Sequence, residues 1–288
     1  MTDRSQTAAL ENRMGDWIRA RLPHGLAEFV LFGLKQGWAA LFGGAMLAGI
    51  LVTRAIWQDG WPVARYDALV VYAVLLQAAF LAFRLETWGE AKVILLFHIT
   101  GTVMEIFKVQ AGSWAYPEPG LFKLWGVPLF SGFMYASVGS FIARAIRIFD
   151  MRLTPYPPFW MTVLLAVAIY VNFFAHHFLA DVRIALFAAS VVLYARTRIW
   201  FAIGRYYWMP MPLAALLTSF FLWIAENVGT NTGTWVYAGQ LDGFDWVSFS
   251  KLGSWYLLLY VSFVTVTLVL RDALGGPPPT DRARRKVR

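Results

Sequence analysis

Two acidic residues carry the clearest chemical signal in this sequence. Glu105 is followed seven residues later by Gly112-Ser113-Trp114-Ala115-Tyr116, and Glu226 seven residues later by Gly233-Thr234-Trp235-Val236-Tyr237. The same 121-residue offset pairs Trp125 with Trp246, Gly132 with Gly253 and Tyr135 with Tyr256. One shared Gly-x-Trp is chance; this many matches at one ungapped offset indicate an internal repeat. A carboxyl group in apolar surroundings favours its protonated form and can act as a general acid. Two carboxylates that face each other repel when both are ionised, so one tends to keep its proton. His98, Thr102 and Glu105 lie four and seven residues apart and share one helix face. That makes His98 a candidate proton acceptor beside Glu105 and Glu226 as candidate acids.

Other polar groups gather at the same level. Lys108 is one turn beyond Glu105, and Asn227 adjoins Glu226. Asn172, His176 and His177 end one apolar run, with Asp181 and Arg183 just after it. Together with Trp114, Tyr116, Trp235 and Tyr237 they form a candidate pocket lining. Each also has a plain structural role open to it. Lys108 and Arg183 can snorkel, Asp181 can pair with Arg183 or cap a helix, and Trp and Tyr suit a membrane interface. The chain has no Cys, the His and carboxylate spacings match no metal motif, and no nucleotide-binding fingerprint occurs in a sensible context. Neither a metal nor another cofactor is expected.

The elements that must position these groups follow from composition. Of 288 residues, 59% are hydrophobic and 15% charged, against about 45–50% and about 25% in soluble domains. This excess does not fit inside one soluble core, so an all-α integral membrane fold is expected. Basic residues give a net charge of +8 but stand singly between apolar runs, which argues against nucleic-acid binding. Apolar runs near 36–56, 66–83, 91–109, 127–145, 158–177, 180–197, 206–227 and 249–270 predict about eight transmembrane helices. The run at 180–197 is the weakest, since Asp181 and Arg183 sit in its first turn. The first long run starts too late for a signal peptide.

The expected organisation is a cytoplasmic or interfacial amphipathic segment over 1–35, a transmembrane domain over 36–271 and a disordered basic tail over 272–288. The domain divides into parallel four-helix repeats at about 36–149 and 158–271. Lys and Arg are richer in every second connection, which places both termini in the cytoplasm and both Gly-Ser/Thr-Trp-x-Tyr loops on the outer side.

Several strings also resemble a known family. Phe97-His98-x-x-Gly101, Met104-Glu105-x-Phe107-Lys108, Gly112 through Glu118, Gly126 through Tyr135, Asn172-Phe173-Phe174, Glu226-Asn227 and Lys251 through Trp255 are similar to the bacterial membrane family called domain of unknown function 817. The likeness covers about 26–272 and implies a multi-pass membrane protein of the bacterial inner membrane. More remotely, a late-helix acid followed by Gly-x-Trp-x-Tyr and a Gly-x-Pro-Leu helix entry resembles the helical lycopene cyclases and carotenoid hydratases. That resemblance implies polyene protonation at positions matching Glu105 and Glu226. His98, Lys108 and the His176-His177 pair depart from it. Three functions stay open: an enzyme acting on an apolar isoprenoid or pigment, a transporter or channel with a polar outer vestibule, and a structural protein whose polar groups only join helices. Membrane lipids are the expected partners; the sequence leaves the oligomeric state open.

Overall fold

The computed structural model describes residues 13–58, 60–176, 178–237 and 245–280. His177 and the basic end of the tail lie outside the described residues, as do the first twelve residues. A helix over 13–21 (α1) leads into α2 (His24–Ala39) and α3 (Leu41–Ile56), which meet at a 69° bend. α4 (Arg65–Ala82), α5 (Trp88–Gln110) and α6 (Phe130–Ile148) follow. α7 (Phe159–Ala175), α8 (Arg183–Tyr194), α9 (Met211–Asn231) and α10 (Phe249–Val269) complete the helices. The Thr87 side chain accepts from the Glu90 N–H while Glu90 accepts from the Thr87 N–H, a reciprocal cap that starts α5.

α4, α5, α9 and α10 are long and apolar enough to cross a membrane, and the bent pair α2–α3 makes a fifth span if counted as one. Their outward faces expose Leu75, Leu95, Val103 and Phe221. Such surface is costly in water and is solvated by lipid tails. α6 has a different composition because it runs through the bundle, against α2, α3, α4, α5 and α10. It buries Ser131, Ser137, Ser140 and Arg144. Arg144 is fully buried and donates to the carbonyl oxygens of Trp38 and Leu85 at 2.6 and 2.8 Å. Trp38 lies just before the α2–α3 bend, so the guanidinium supplies a donor where the helix ladder is interrupted.

Three expected runs differ from the observed elements. The first begins at His24 and bends at Ala40. The weak run at 180–197 is a 12-residue helix, α8. The run at 206–227 opens as a strand, β6 (Tyr206–Pro210), before α9. β6 pairs with β5 (Arg198–Ala202), which pairs with β4 (Arg152–Thr154), in an antiparallel sheet at the end of the bundle formed by the α6 C-terminus and the α9 N-terminus. At the opposite end lie β1 (Trp114–Ala115), the tight hairpin of β2 (Lys123–Leu124) with β3 (Val127–Pro128), and β7 (Val236–Tyr237).

Candidate functional site

The two motif loops leave their helices in the same way. After α5 the Gly112 N–H bonds to the Val109 carbonyl and the Ser113 N–H to that of Lys108; after α9 Gly233 bonds to Thr230 and Thr234 to Gly229. Gly112 and Gly233 adopt φ of 71° and 64°, the left-handed conformation that ends a helix in this motif. Each loop then folds back on the acid of its own helix. Trp114 Nε1 and the Tyr116 hydroxyl donate to Glu105 Oε2 at 2.7 and 2.8 Å. Trp235 Nε1 and the Tyr237 hydroxyl donate to Glu226 Oε1 at 3.0 and 2.5 Å. The loops meet where β1 pairs with β7, Trp114 opposite Tyr237 and Ala115 opposite Val236. From α4, Arg65 binds Glu118 through Nε and Nη2 and also reaches the Thr234 hydroxyl, while the Tyr66 hydroxyl donates to the Thr234 carbonyl.

The two carboxylates are not equivalent. Glu105, 2% exposed, takes a third donor on Oε1 from the Tyr135 hydroxyl of α6 at 2.6 Å. Tyr135 can reach it because its Cβ lies against Gly101, where any side chain would collide at 2.6 Å. Glu226 is 8% exposed, and its Oε2 receives no hydrogen bond from any described residue. Its counterpart of Tyr135, Tyr256, instead meets Tyr260 at 3.2 Å. Burial pushes the Tyr116 phenol well above its ordinary range, Glu105 adds to this and Glu226 acts in the same direction. Tyr237 is pushed up likewise by burial, then Glu226, then Glu105. Both phenols therefore stay protonated donors.

The remaining expected residues divide. Lys251 Nζ of α10 stands 4.2 Å from the Tyr237 ring and 5.5 Å from the Trp114 ring. Lys108 Nζ donates to the Phe173 carbonyl at 2.6 Å and lies 4.0 Å over that ring. The Asn172 amide donates to Asp181 and accepts from the Val182 N–H; Asp181 accepts from the Arg183 N–H and pairs with its guanidinium at 2.9 Å. His176 Nδ1 faces the Asn172 carbonyl at 3.1 Å. These contacts tie the α7–α8 turn. Asn227 bonds to the Trp223 carbonyl and accepts from the Val247 N–H, fixing the approach to α10.

His98 joins neither acid: among the described residues no hydrogen bond links it to Glu105 or Glu226. Its ring packs 4.4 Å from Phe133, and its buried Nδ1 has no hydrogen-bond partner among the described residues. Among those residues, no cluster of three or more His, Cys, Asp or Glu could hold a metal. Sequence reasoning passed over Tyr135 and Lys251 as site residues. Tyr135 had a signal, its pairing with Tyr256 at the repeat offset. Lys251 had none, since at that offset it faces Phe130.

The family described as "Protein of unknown function (DUF817)" matches residues 28–263. The uncharacterized protein YoaT of Bacillus subtilis (strain 168) is 43% identical over 242 residues, 84% of this chain and 91% of that protein. Two crystal structures of the Insig homolog MvINS from Mycobacterium vanbaalenii, one a cross-linked trimer, each align with 65% of this chain and 96% of their own at TM-score 0.47, with 13% and 12% identity.

Proposed function

The chain belongs to the DUF817 family, and from that premise we propose an inner-membrane protein that performs acid/base chemistry on a lipid-soluble, isoprenoid-like substrate at Glu226. The proposed architecture is eight spans in two parallel four-helix repeats with both termini cytoplasmic. Matching helix exits, matching Trp and Tyr donors and the β1–β7 pairing support the repeat.

The observation that carries the chemistry is the unequal filling of the two carboxylates. Glu105 has donors on both oxygens and acts as a fixed anchor for its loop. Glu226 keeps Oε2 for a ligand. In its acid form it passes a proton to one carbon of a double bond, breaking O–H and forming C–H. The neighbouring carbon becomes a cation, paired with the Glu226 carboxylate that the transfer leaves behind. Loss of a proton from an adjacent carbon to the Glu226 carboxylate restores O–H and leaves the double bond shifted. No oxidant or reductant is needed.

Extracted lipids and pigments from cells carrying Glu226→Gln and Glu105→Gln test this. Glu226→Gln should abolish the product with melting temperature unchanged, and Glu105→Gln should chiefly lower the melting temperature. Unchanged lipid profiles in Glu226→Gln together with loss of a solute-uptake phenotype would replace the enzyme with a transporter.

A further inference from the structure

Thr234 is where α4 takes hold of the Glu226 loop. It precedes Trp235, whose indole donates to Glu226 Oε1 at 3.0 Å. Its hydroxyl and its carbonyl are held by the first two residues of α4. Arg65 Nη2 donates to the Thr234 hydroxyl at 3.3 Å, and the Tyr66 hydroxyl donates to the Thr234 carbonyl at 2.7 Å. The same guanidinium reaches the other loop, where Nε and Nη2 bind the Glu118 carboxylate at 2.6 to 3.0 Å. One side chain of α4 therefore bridges the loop after α5 and the loop after α9.

A stabilising role alone does not account for this bridge. Arg65 and Thr234 are buried, and Arg65 Nη1 has no acceptor among the described residues. A buried charged donor without an acceptor carries a desolvation cost. Apolar residues of similar volume often replace a buried ion pair with no loss of stability. At the 121-residue offset Arg65 and Tyr66 fall on Leu186 and Phe187, near the start of α8. Those side chains carry no hydrogen-bonding group. Leu186 lies in the apolar core and Phe187 stacks on the Tyr256 ring at 5.2 Å. The two acids are thus held by different means. Glu105 receives the Tyr135 hydroxyl directly on Oε1, whereas α4 acts on Glu226 at one remove, through Thr234. Support at one remove fixes Trp235 and Tyr237 on Oε1 without placing a donor on Oε2.

We propose that Arg65 is a positioning residue for Glu226. Pinned by Glu118, it sets the register of the second loop against the first, so that Trp235 and Tyr237 aim the Glu226 carboxyl while Oε2 stays open. This rests on the reading of Glu226 as an acid acting on a lipid-soluble substrate, and the test separates the two.

The test uses the full chain in detergent with Ala115→Cys and Val236→Cys, residues opposed across β1 and β7. It reads the rate of disulfide formation under mild oxidation beside the melting temperature. Thr234→Val removes the hydroxyl and keeps the shape. It should slow crosslinking about tenfold, the loss of one charge-assisted hydrogen bond. Thr234→Ser, which keeps the hydroxyl, should crosslink at the parent rate. Replacing the ion pair, Arg65→Leu with Glu118→Leu, should slow crosslinking as much while the melting temperature holds or rises. An unchanged rate in Thr234→Val, or a rate that falls only in step with the melting temperature, overturns the proposal. Lipid and pigment profiles decide the other reading. If Glu226→Gln leaves them unchanged while Thr234→Val still slows crosslinking, the Arg65 clamp stands and the acid mechanism falls. If Glu226→Gln loses the product while Thr234→Val crosslinks as the parent does, the acid mechanism stands and the clamp falls.

Discussion

Trp114 and Tyr237 stand opposite each other in the β1–β7 ladder, with their rings edge to face at 5.9 Å. Trp114 is bound to Glu105 and Tyr237 to Glu226, so the two acids are joined through one ring contact. Edge-to-face pairs favour this geometry because the positive edge of one ring meets the negative face of the other. The next pair in the ladder, Ala115 with Val236, is separated by the same 121 residues as the motif itself.

The ladder predicts a crosslink. Directly opposed antiparallel residues have Cα atoms about 4.5–5.5 Å apart, inside the range a disulfide spans. The chain has no Cys of its own, so Ala115→Cys combined with Val236→Cys should oxidise to a single intramolecular bond. A shift in mobility on non-reducing gels, reversed by reductant and absent from either single variant, checks it. Failure to crosslink under mild oxidation would separate the two loops.

Unequal support of the two acids predicts unequal responses to loss of a phenol. Tyr135→Phe leaves Glu105 Oε1 without its donor in a buried setting, at a cost of about 1–3 kcal/mol. Tyr256→Phe, at the matching position, removes a hydroxyl that among the described residues meets the Tyr260 hydroxyl at 3.2 Å, and should cost less. Thermal melting of the two variants side by side reads the difference. Equal losses would mean that Glu105 does not depend on Tyr135.

Much of this arrangement was legible in the sequence. The runs at 66–83, 91–109 and 249–270 lie close to α4, α5 and α10, because twenty apolar residues leave one inexpensive structure in lipid. The Glu, Trp and Tyr spacing stands out at the repeated offset, but that each Trp and Tyr folds back on the acid of its own helix does not. What stayed hidden depends on distant partners. Arg144 stands at the end of the expected run 127–145 with no partner visible in the sequence, and it is buried because Trp38, 106 residues away, offers it a carbonyl. The strand Tyr206–Pro210 reads as the start of a span because Tyr207, Trp208 and Met209 are apolar, and a hydropathy window averages over the alternation that distinguishes a strand. His98 was expected to serve Glu105 on helical spacing alone. The approach of α6 instead sets Gly132 and Phe133 against it.

The α7–α8 turn should respond to acid. Burial pushes the Asp181 carboxyl up, but the Asn172 amide and the Arg183 N–H and guanidinium outweigh this and hold it below its usual range. A depressed folded value contributes stability above the unfolded value of about 3.9. That contribution is lost as pH falls through the folded value. Proteolysis within residues 178–182 should therefore rise below about pH 4, and Asp181→Asn should be cut more readily at neutral pH with a flatter pH profile. A cleavage rate that is independent of pH in the parent protein would remove Asp181 from the turn's support.

The sharpest packing prediction concerns Gly229. A Cβ placed there would fall 1.9 Å from Cη2 of the Trp235 indole, a distance that no rotamer adjustment within a packed site absorbs. Gly229→Ala should displace the indole from Glu226, break the 3.0 Å bond to Oε1 and destabilise the protein by about 1–3 kcal/mol, the usual range for overpacking. Gly25→Ala in α2, with nothing within 4 Å of the added carbon, should be neutral or stabilising by up to about 1 kcal/mol through helix propensity. Removing the obstacle gives the decisive comparison. In a Trp235→Ala background the clash at 229 is gone, so adding Gly229→Ala should cost little. The two substitutions should then be strongly non-additive in melting temperature, as residues in contact are. Additive losses would mean that Trp235 does not rest on Gly229, and its hold on Glu226 would need another origin.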